Sequence, residues 1–262
     1  MFTTTNLQHS FGLDIGDLAL RFVFLEKKGD YFKIKAYGEK LLPPGLTSEG
    51  KIDKPDELAA SLANLINQPD FGKLKLKNVI TCLPETKTFI KLITIPWPKD
   101  HDLTDAIIQE AQKHIPLALD QAYLDWQIVD SQEKEWLKIL LGVTPQEIAN
   151  NYIKLLKLVD LKPTVLEIEA AAIVRSLLPG GETPPKDSFL ILDLGATRSS
   201  IIIYAKNTIQ FSLTVPISGV QITQMLASKT NCSYEKAEEL KIRCGLQAKT
   251  DNALEIETSK AL

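Results

Sequence analysis

Apolar positions fall into short alternating or continuous runs, with a few longer stretches at helical spacing. Residues 11–15 predict a buried strand, residues 19–26 a second and residues 31–41 a third, joined by a Gly16-Asp17 turn and a polar turn at Gly29. Such tight turns make the three strands a meander. Pro43, Pro44 and Gly45 end it. A helix is predicted from Asp53, with Pro55 in its first turn and Leu58, Leu62, Leu65 and Ile66 on one face. Residues 78–83 predict another buried strand.

The middle reads differently. A strand over 88–95 leads to a helix over 102–114, stopped by Pro116. Strands over 122–129 and 136–143, a helix over 145–159 and a strand over 163–167 follow. Strand, helix, strand, strand, helix, strand is a compact α+β unit, read as an insertion. Residues 169–178 are helical, and the Pro- and Gly-dense stretch 179–187 predicts a linker. Strands over 188–193, 199–205 and 208–215 come next, then a helix from Gly219 and a capped helix from Ser233 to Gly245.

Two segments repeat one pattern: FGLDIGDLALRFVFLEKKGDYFKIKAYGEKLL and FLILDLGATRSSIIIYAKNTIQFSLTVPI. Each has an apolar strand ending in Asp, an apolar residue and Gly, then strand, polar turn and strand, which points to duplication. A glycine at a tight bend lets backbone N–H groups approach phosphate oxygens. An aspartate at the strand end can hold Mg²⁺ through its water shell. Asp14–Gly16 and Asp193–Gly195 are therefore candidate phosphate loops, with Asp14 and Asp193 the candidate metal-holding pair.

Composition narrows the function classes. The 262 residues carry a net charge of −3, with 44% hydrophobic and 24% charged residues, and no basic footprint for nucleic acid. The densest basic run, KLKLK at 73–77, reads as a solvated strand edge. Three cysteines without CxxC spacing predict neither a disulfide framework nor a zinc site, and suit a reducing cytoplasm. No apolar run suffices for direct membrane insertion, and the opening MFTTTNLQHS lacks signal-peptide character.

The repeat resembles the phosphate-1 and phosphate-2 motifs of the actin-like ATPase superfamily, a duplicated α/β fold of ribonuclease H type. A module inserted inside the first half resembles the FtsA and PilM branch. The detailed resemblance is to the PilM family of type IV pilus assembly proteins. It is carried by FGLDIGDLALRFVFLE, TFIKLITIPWP, IIQEAQKHIPLALDQAYLDWQIVD, LKPTVLEIEAAAIVRSL, FLILDLGATRSSIIIY, ISGVQITQMLA and YEKAEELKIRCGL, in order along nearly the whole chain. It implies residues 1–83 as the first part of subdomain IA, 84–163 as an inserted IC-like α+β subdomain, 164–182 as the remainder of IA, and 183–262 as the start of a IIA-like half. A further subdomain, an adenosine-binding turn and a closing helix would follow Gly245 in that pattern, so the second half is expected to be incomplete.

The resemblance also implies ATP and Mg²⁺ as cofactors. Asp14, Gly16 and Arg21 would form the first phosphate loop, and Asp193, Gly195 and Thr197 the second. Gly219 and Thr223 would stand at the next helix start, and Glu238 and Lys241 would face ribose and base. Three departures predict weak binding and little or no hydrolysis: Asp17 and Leu18 replace hydroxyl residues, Ser218 replaces a glycine, and the adenosine wall is missing. The implied role is a cytoplasmic scaffold at the inner membrane. It would hold the cytoplasmic N-terminal tail of a PilN-like membrane protein, in a groove between residues near 71–95 and the inserted module, and engage pilus motor components. The alternatives are an FtsA-like cell-division protein, whose basic amphipathic C-terminal helix TDNALEIETSKAL does not supply, and a degenerate actin-like ATPase or kinase.

Overall fold

The computed structural model describes residues 9–97, 102–130, 135–178 and 187–245. The opening residues, most of the expected linker and the polar tail beyond Gly245 lie outside the described residues. The chain divides into two compact units: Met1–Ile191 with Ile201–Leu213, and Leu192–Ser200 with Thr214–Leu262.

The first unit is built on a meander of β1 (Ser10–Ile15), β2 (Ala19–Lys28) and β3 (Tyr31–Leu41). Next come the short β4 (Thr47–Ser48) and β5 (Lys51–Ile52), α1 (Pro55–Asn67), β6 (Phe71–Gly72) and β7 (Asn78–Leu83). After the inserted strands, α3 (Gln146–Leu158) and β11 (Lys162–Ile168) return to the same sheet, whose order is β11-β7-β1-β2-β3-β6. Because alternate residues share a face, β1 and β2 turn Phe11, Leu13, Leu20 and Phe22 toward one core. Leu58, Leu62 and Leu65 of α1 and Tyr152, Leu155 and Leu156 of α3 complete it. Each such leucine contributes roughly 1.5–3 kcal/mol by leaving water.

The inserted sheet contains β8 (Phe89–Pro96), β9 (Ala122–Asp130) and β10 (Trp136–Pro145), ordered β8-β10-β9, with α2 (Leu103–His114) between β8 and β9 in sequence. Ile93, Ile95, Leu137, Ile139 and Leu141 pack with Ile107 and Ala111 of α2. Asp102 caps α2, its carboxylate accepting the Thr104 N–H at 2.7 Å. Helix α3, expected within this module, instead packs in the core of the first half, and β11 pairs with β7 in its sheet. Helical spacing shows that α3 has an apolar stripe; it does not show which core receives it.

Two further expectations are corrected. Residues 73–77 form no strand: Leu74 and Leu76 pack against the main core while the lysines face outward, with no ladder. The β4–β5 hairpin arises where none was expected, turning at Glu49 (φ 49°) and Gly50 (φ 75°), two successive positive φ values that suit a tight hairpin. Strands of two residues leave no periodicity to read.

Helix α4 (Glu169–Leu177) packs Ala170 and Val174 against Ile202, Tyr204 and Ile209. These last lie on β13 (Ser199–Ala205) and β14 (Thr208–Val215), in a sheet ordered β12-β13-β14 that begins with β12 (Phe189–Leu194). In the second unit, α5 (Gly219–Thr230) packs against α6 (Tyr234–Cys244), with Leu226, Ala237 and Leu240 buried. Asn231 ends α5 in the left-handed region, and the Ser233 hydroxyl caps α6 by accepting the Lys236 N–H at 3.3 Å.

Candidate functional site

The first candidate loop follows β1. Asp14 is exposed near the strand's end, and the Gly16 N–H donates to the Ala19 carbonyl at 3.0 Å, closing a tight turn into β2. A methyl group on Gly16 would meet that carbonyl at 3.1 Å. Arg21 lies on β2 directly across from Asp14, with Glu39 across from it on β3. Its Nε donates to Glu39 Oε1 at 2.7 Å and a terminal nitrogen lies 3.7 Å from Asp14. Register alone makes this Asp14–Arg21–Glu39 row, and as an exposed pairing it contributes about 0–1 kcal/mol.

Asp17 settles a sequence question. Only 8% exposed, it turns inward, and its Oδ1 accepts the Gly50 N–H at 3.0 Å. The Gly50 carbonyl accepts the Tyr152 hydroxyl at 3.0 Å. The carboxylate after the first glycine is thus an internal acceptor instead of a charge directed at phosphate. Sequence reasoning missed Gly50 and Tyr152, which stand 33 and 102 residues away along the two bonds. No local pattern links such positions.

Cys82 ends near this row. Burial pushes its thiol up to about 12; the Glu167, Glu169 and Asp14 carboxylates add to the rise and Arg175 opposes it. Arg175 is held by a two-pronged pairing with Glu167.

The second candidate loop follows β12 and repeats the first turn. A methyl group on Gly195 would come within 2.2 Å of the Arg198 carbonyl, three residues on, as Gly16 faces Ala19. Asp193 is half-buried and Thr197 exposed. The loop is bonded to the start of α5: Gly219 N–H donates to the Gly195 carbonyl at 3.0 Å and Val220 N–H to the Ala196 carbonyl at 2.9 Å. Ser218, where a glycine was expected, is buried and caps α5 by accepting the Gln221 N–H at 3.2 Å.

Thr223, Glu238 and Lys241 come together between α5 and α6. Lys241 Nζ donates to the Gly219 carbonyl at 3.1 Å, to Thr223 Oγ1 at 2.8 Å and to Glu238 Oε2 at 2.7 Å. Thr223 also contacts Glu238 Oε2. Burial raises the Glu238 carboxyl, but the Lys241 and Thr223 hydrogen bonds and the lysine charge outweigh it, leaving the group below its ordinary value. All three ammonium donors are engaged inside the protein, so the pair joins the two helices. Asp14 and Asp193 belong to different compact units, and each loop stands as its own half-site.

Residues 12–254 match the sequence profile of a family described as type IV pilus assembly protein PilM. The chain belongs to the PilM family. A solved structure described as the PilM-PilN type IV pilus biogenesis complex is similar over 89% of this chain and 69% of that one, at 25% identity and TM-score 0.77. The ethanolamine utilization protein EutJ from Carboxydothermus hydrogenoformans matches 89% of this chain and 61% of its own, at 14% identity and TM-score 0.53, a likeness of fold alone. The fold of this PilM-family chain is the actin-like ATPase fold.

Proposed function

We propose that this chain is a cytoplasmic scaffold of the type IV pilus inner-membrane complex, binding the cytoplasmic N-terminal tail of a PilN-like membrane protein. The observation that carries this reading is the similarity, over most of the chain, to a PilM solved with PilN. Among the described residues no helix is long and apolar enough to cross a membrane, so the reading brings the chain to the inner membrane through this partner. Pilus motor components would be reached from the same position.

The site proposed for the tail is the groove between residues near 71–95 and the inserted sheet. Strand β8 stands at the edge of that sheet among the described residues. It exposes Phe89, Lys91 and Thr94. An edge strand offers unpaired main-chain groups to an added segment, and its alternating side chains give selectivity.

Weak ATP and Mg²⁺ binding belongs to the same proposal. The space denied to a side chain at Gly195 fits a backbone cradle for phosphate. Asp14 and Gly16 would offer one phosphate half-site, and Asp193, Gly195, Thr197 and the Gly219 end of α5 another, each aspartate suited to hold Mg²⁺ through water. Asp17, turned inward, adds no direct repulsion, whereas Lys241 and Glu238 must release each other to meet ribose or base.

Fluorescence anisotropy with a labelled N-terminal tail of the PilN-like protein encoded in the same genome tests the main claim. Saturable binding without nucleotide is expected. No binding by that tail overturns it and favours the division or kinase alternatives. Calorimetric titration with ATP and Mg²⁺ tests the second claim: tight binding abolished by Asp193→Ala contradicts the weakness expected here.

A further inference from the structure

At the corner where β7 leaves the main sheet and β8 begins, two buried polar side chains have no hydrogen-bond partner among the described residues. Glu85 opens the 3-10 turn Glu85–Lys87, is only 7% exposed, and has both carboxylate oxygens unpaired. Thr144, near the end of β10, is 9% exposed and its hydroxyl is unpaired. Strands β10 and β8 pair as far as Val143 and Phe89, so one more step of that register sets Thr144 opposite Thr88. The Thr88 N–H donates to the Glu85 carbonyl at 3.3 Å and its hydroxyl to the Pro84 carbonyl at 3.0 Å. Both unpaired groups therefore belong to one corner.

The neighbouring donors are committed elsewhere. The Thr86 hydroxyl donates to the Glu49 carbonyl at 2.7 Å, and Lys87 Nζ lies 3.5 Å from the Glu49 carboxylate. On the other side Gly50 packs so closely on Pro84 that a methyl group there would come within 2.1 Å of it. A carboxylate held out of water without a donor is among the least favourable states of a side chain. A cation that carries its own N–H donors relieves it.

We infer that Glu85 forms the receiving point for one Lys or Arg side chain of the segment that docks along β8. The inference rests on the reading of this chain as the holder of a membrane protein's cytoplasmic tail. Strand β8 begins just after the Glu85 turn, so a segment added to its edge passes this corner. Cytoplasmic flanks of membrane proteins carry an excess of Lys and Arg, which matches the charge the corner lacks. In the free chain the carboxylate is closed off, and the turn that carries it is held by a Lys87 N–H to Pro84 carbonyl bond at 3.1 Å and the longer Thr88 bond. Docking moves that turn and replaces an unpaired charge with a charge-assisted hydrogen bond.

The experiment compares the full chain with Glu85→Gln and Glu85→Met, against the labelled tail and against tails in which each Lys or Arg is replaced by norleucine. Both variants are expected to bind the unaltered tail on the order of tenfold or more weakly. One norleucine tail should lose the same factor, and combining the two changes should cost nothing further. Thermal unfolding of the free variants should move upward, because an unpaired buried charge has been removed. Equal binding by the variants, losses that multiply, or a lowered unfolding temperature overturns the inference while leaving the docking reading intact. Failure of the unaltered chain to bind the unaltered tail overturns both.

Discussion

The Asp17 carboxylate accepts the Gly50 N–H at 3.0 Å, tying the first D-Φ-G turn to the β4–β5 hairpin. The Gly50 carbonyl takes the Tyr152 hydroxyl, so the tie continues into α3. A turn that looks from its sequence like a weakened phosphate loop is thus also a structural joint.

Asp17→Ala leaves the Gly50 N–H without this acceptor. Stability should fall by about 1–3 kcal/mol, the cost of an unsatisfied buried donor. Asp17→Asn keeps an oxygen in place and should lose less. Urea unfolding of the three chains measures this, and an unchanged midpoint for Asp17→Ala removes the joint from the account.

The two loop glycines should respond unequally to the same substitution. At Gly195 the added methyl meets a backbone carbonyl at 2.2 Å, which demands a shift of the loop; at Gly16 the contact is 3.1 Å. Gly195→Ala should destabilise by about 2 kcal/mol or more and Gly16→Ala by about 1 kcal/mol or less, within the usual range for overpacking. Thermal unfolding ranks them, and the reverse order contradicts the geometry.

The strands and helices of the meander and the inserted sheet were legible because their apolar periods run over enough residues to be read. The D-Φ-G repeat was legible because both copies keep the same turn. What stayed hidden was set by tertiary partners. The β4–β5 hairpin is too short for a period, and the apolar face of α3 does not name its partner. Asp17 finds its acceptor role only when a distant glycine arrives. The resemblance set Glu238 and Lys241 toward ribose and base; that the Lys241 ammonium is shared by Glu238, Thr223 and the Gly219 carbonyl required α5 to fold against α6.

Acid should loosen the α5–α6 joint. The Glu238 carboxyl is held below its ordinary value of 4.5, so its contribution is complete above that value and is lost as pH falls through the lower folded value. Compared with Glu238→Gln, the unaltered chain should be more stable at neutral pH, with the difference shrinking below about pH 4.5. A difference that stays constant down to pH 3 counts against the pairing as the source.

Thiol reactivity tests the environment of Cys82. Burial and three carboxylates push its pKa from 9.0 to about 12, so almost none is thiolate at pH 8, and the thiolate is the reactive form. Alkylation at pH 8 should therefore spare Cys82 in the folded chain and label it rapidly once urea unfolds the protein. The same shift has a sign in stability. Below 9.0 the thiol is protonated in both states and the effect is fully present; as pH rises toward about 12 the unfolded chain loses its proton first, and the folded state loses ground. Cys82→Ala should flatten that alkaline decline even if it weakens packing at neutral pH. Mass spectrometry of the labelled peptides reads the first outcome and urea midpoints between pH 8 and 11 read the second. Fast labelling of Cys82 in the folded chain would mean that the end of β7 opens to solvent far more readily than its packing beside β1 and β11 implies.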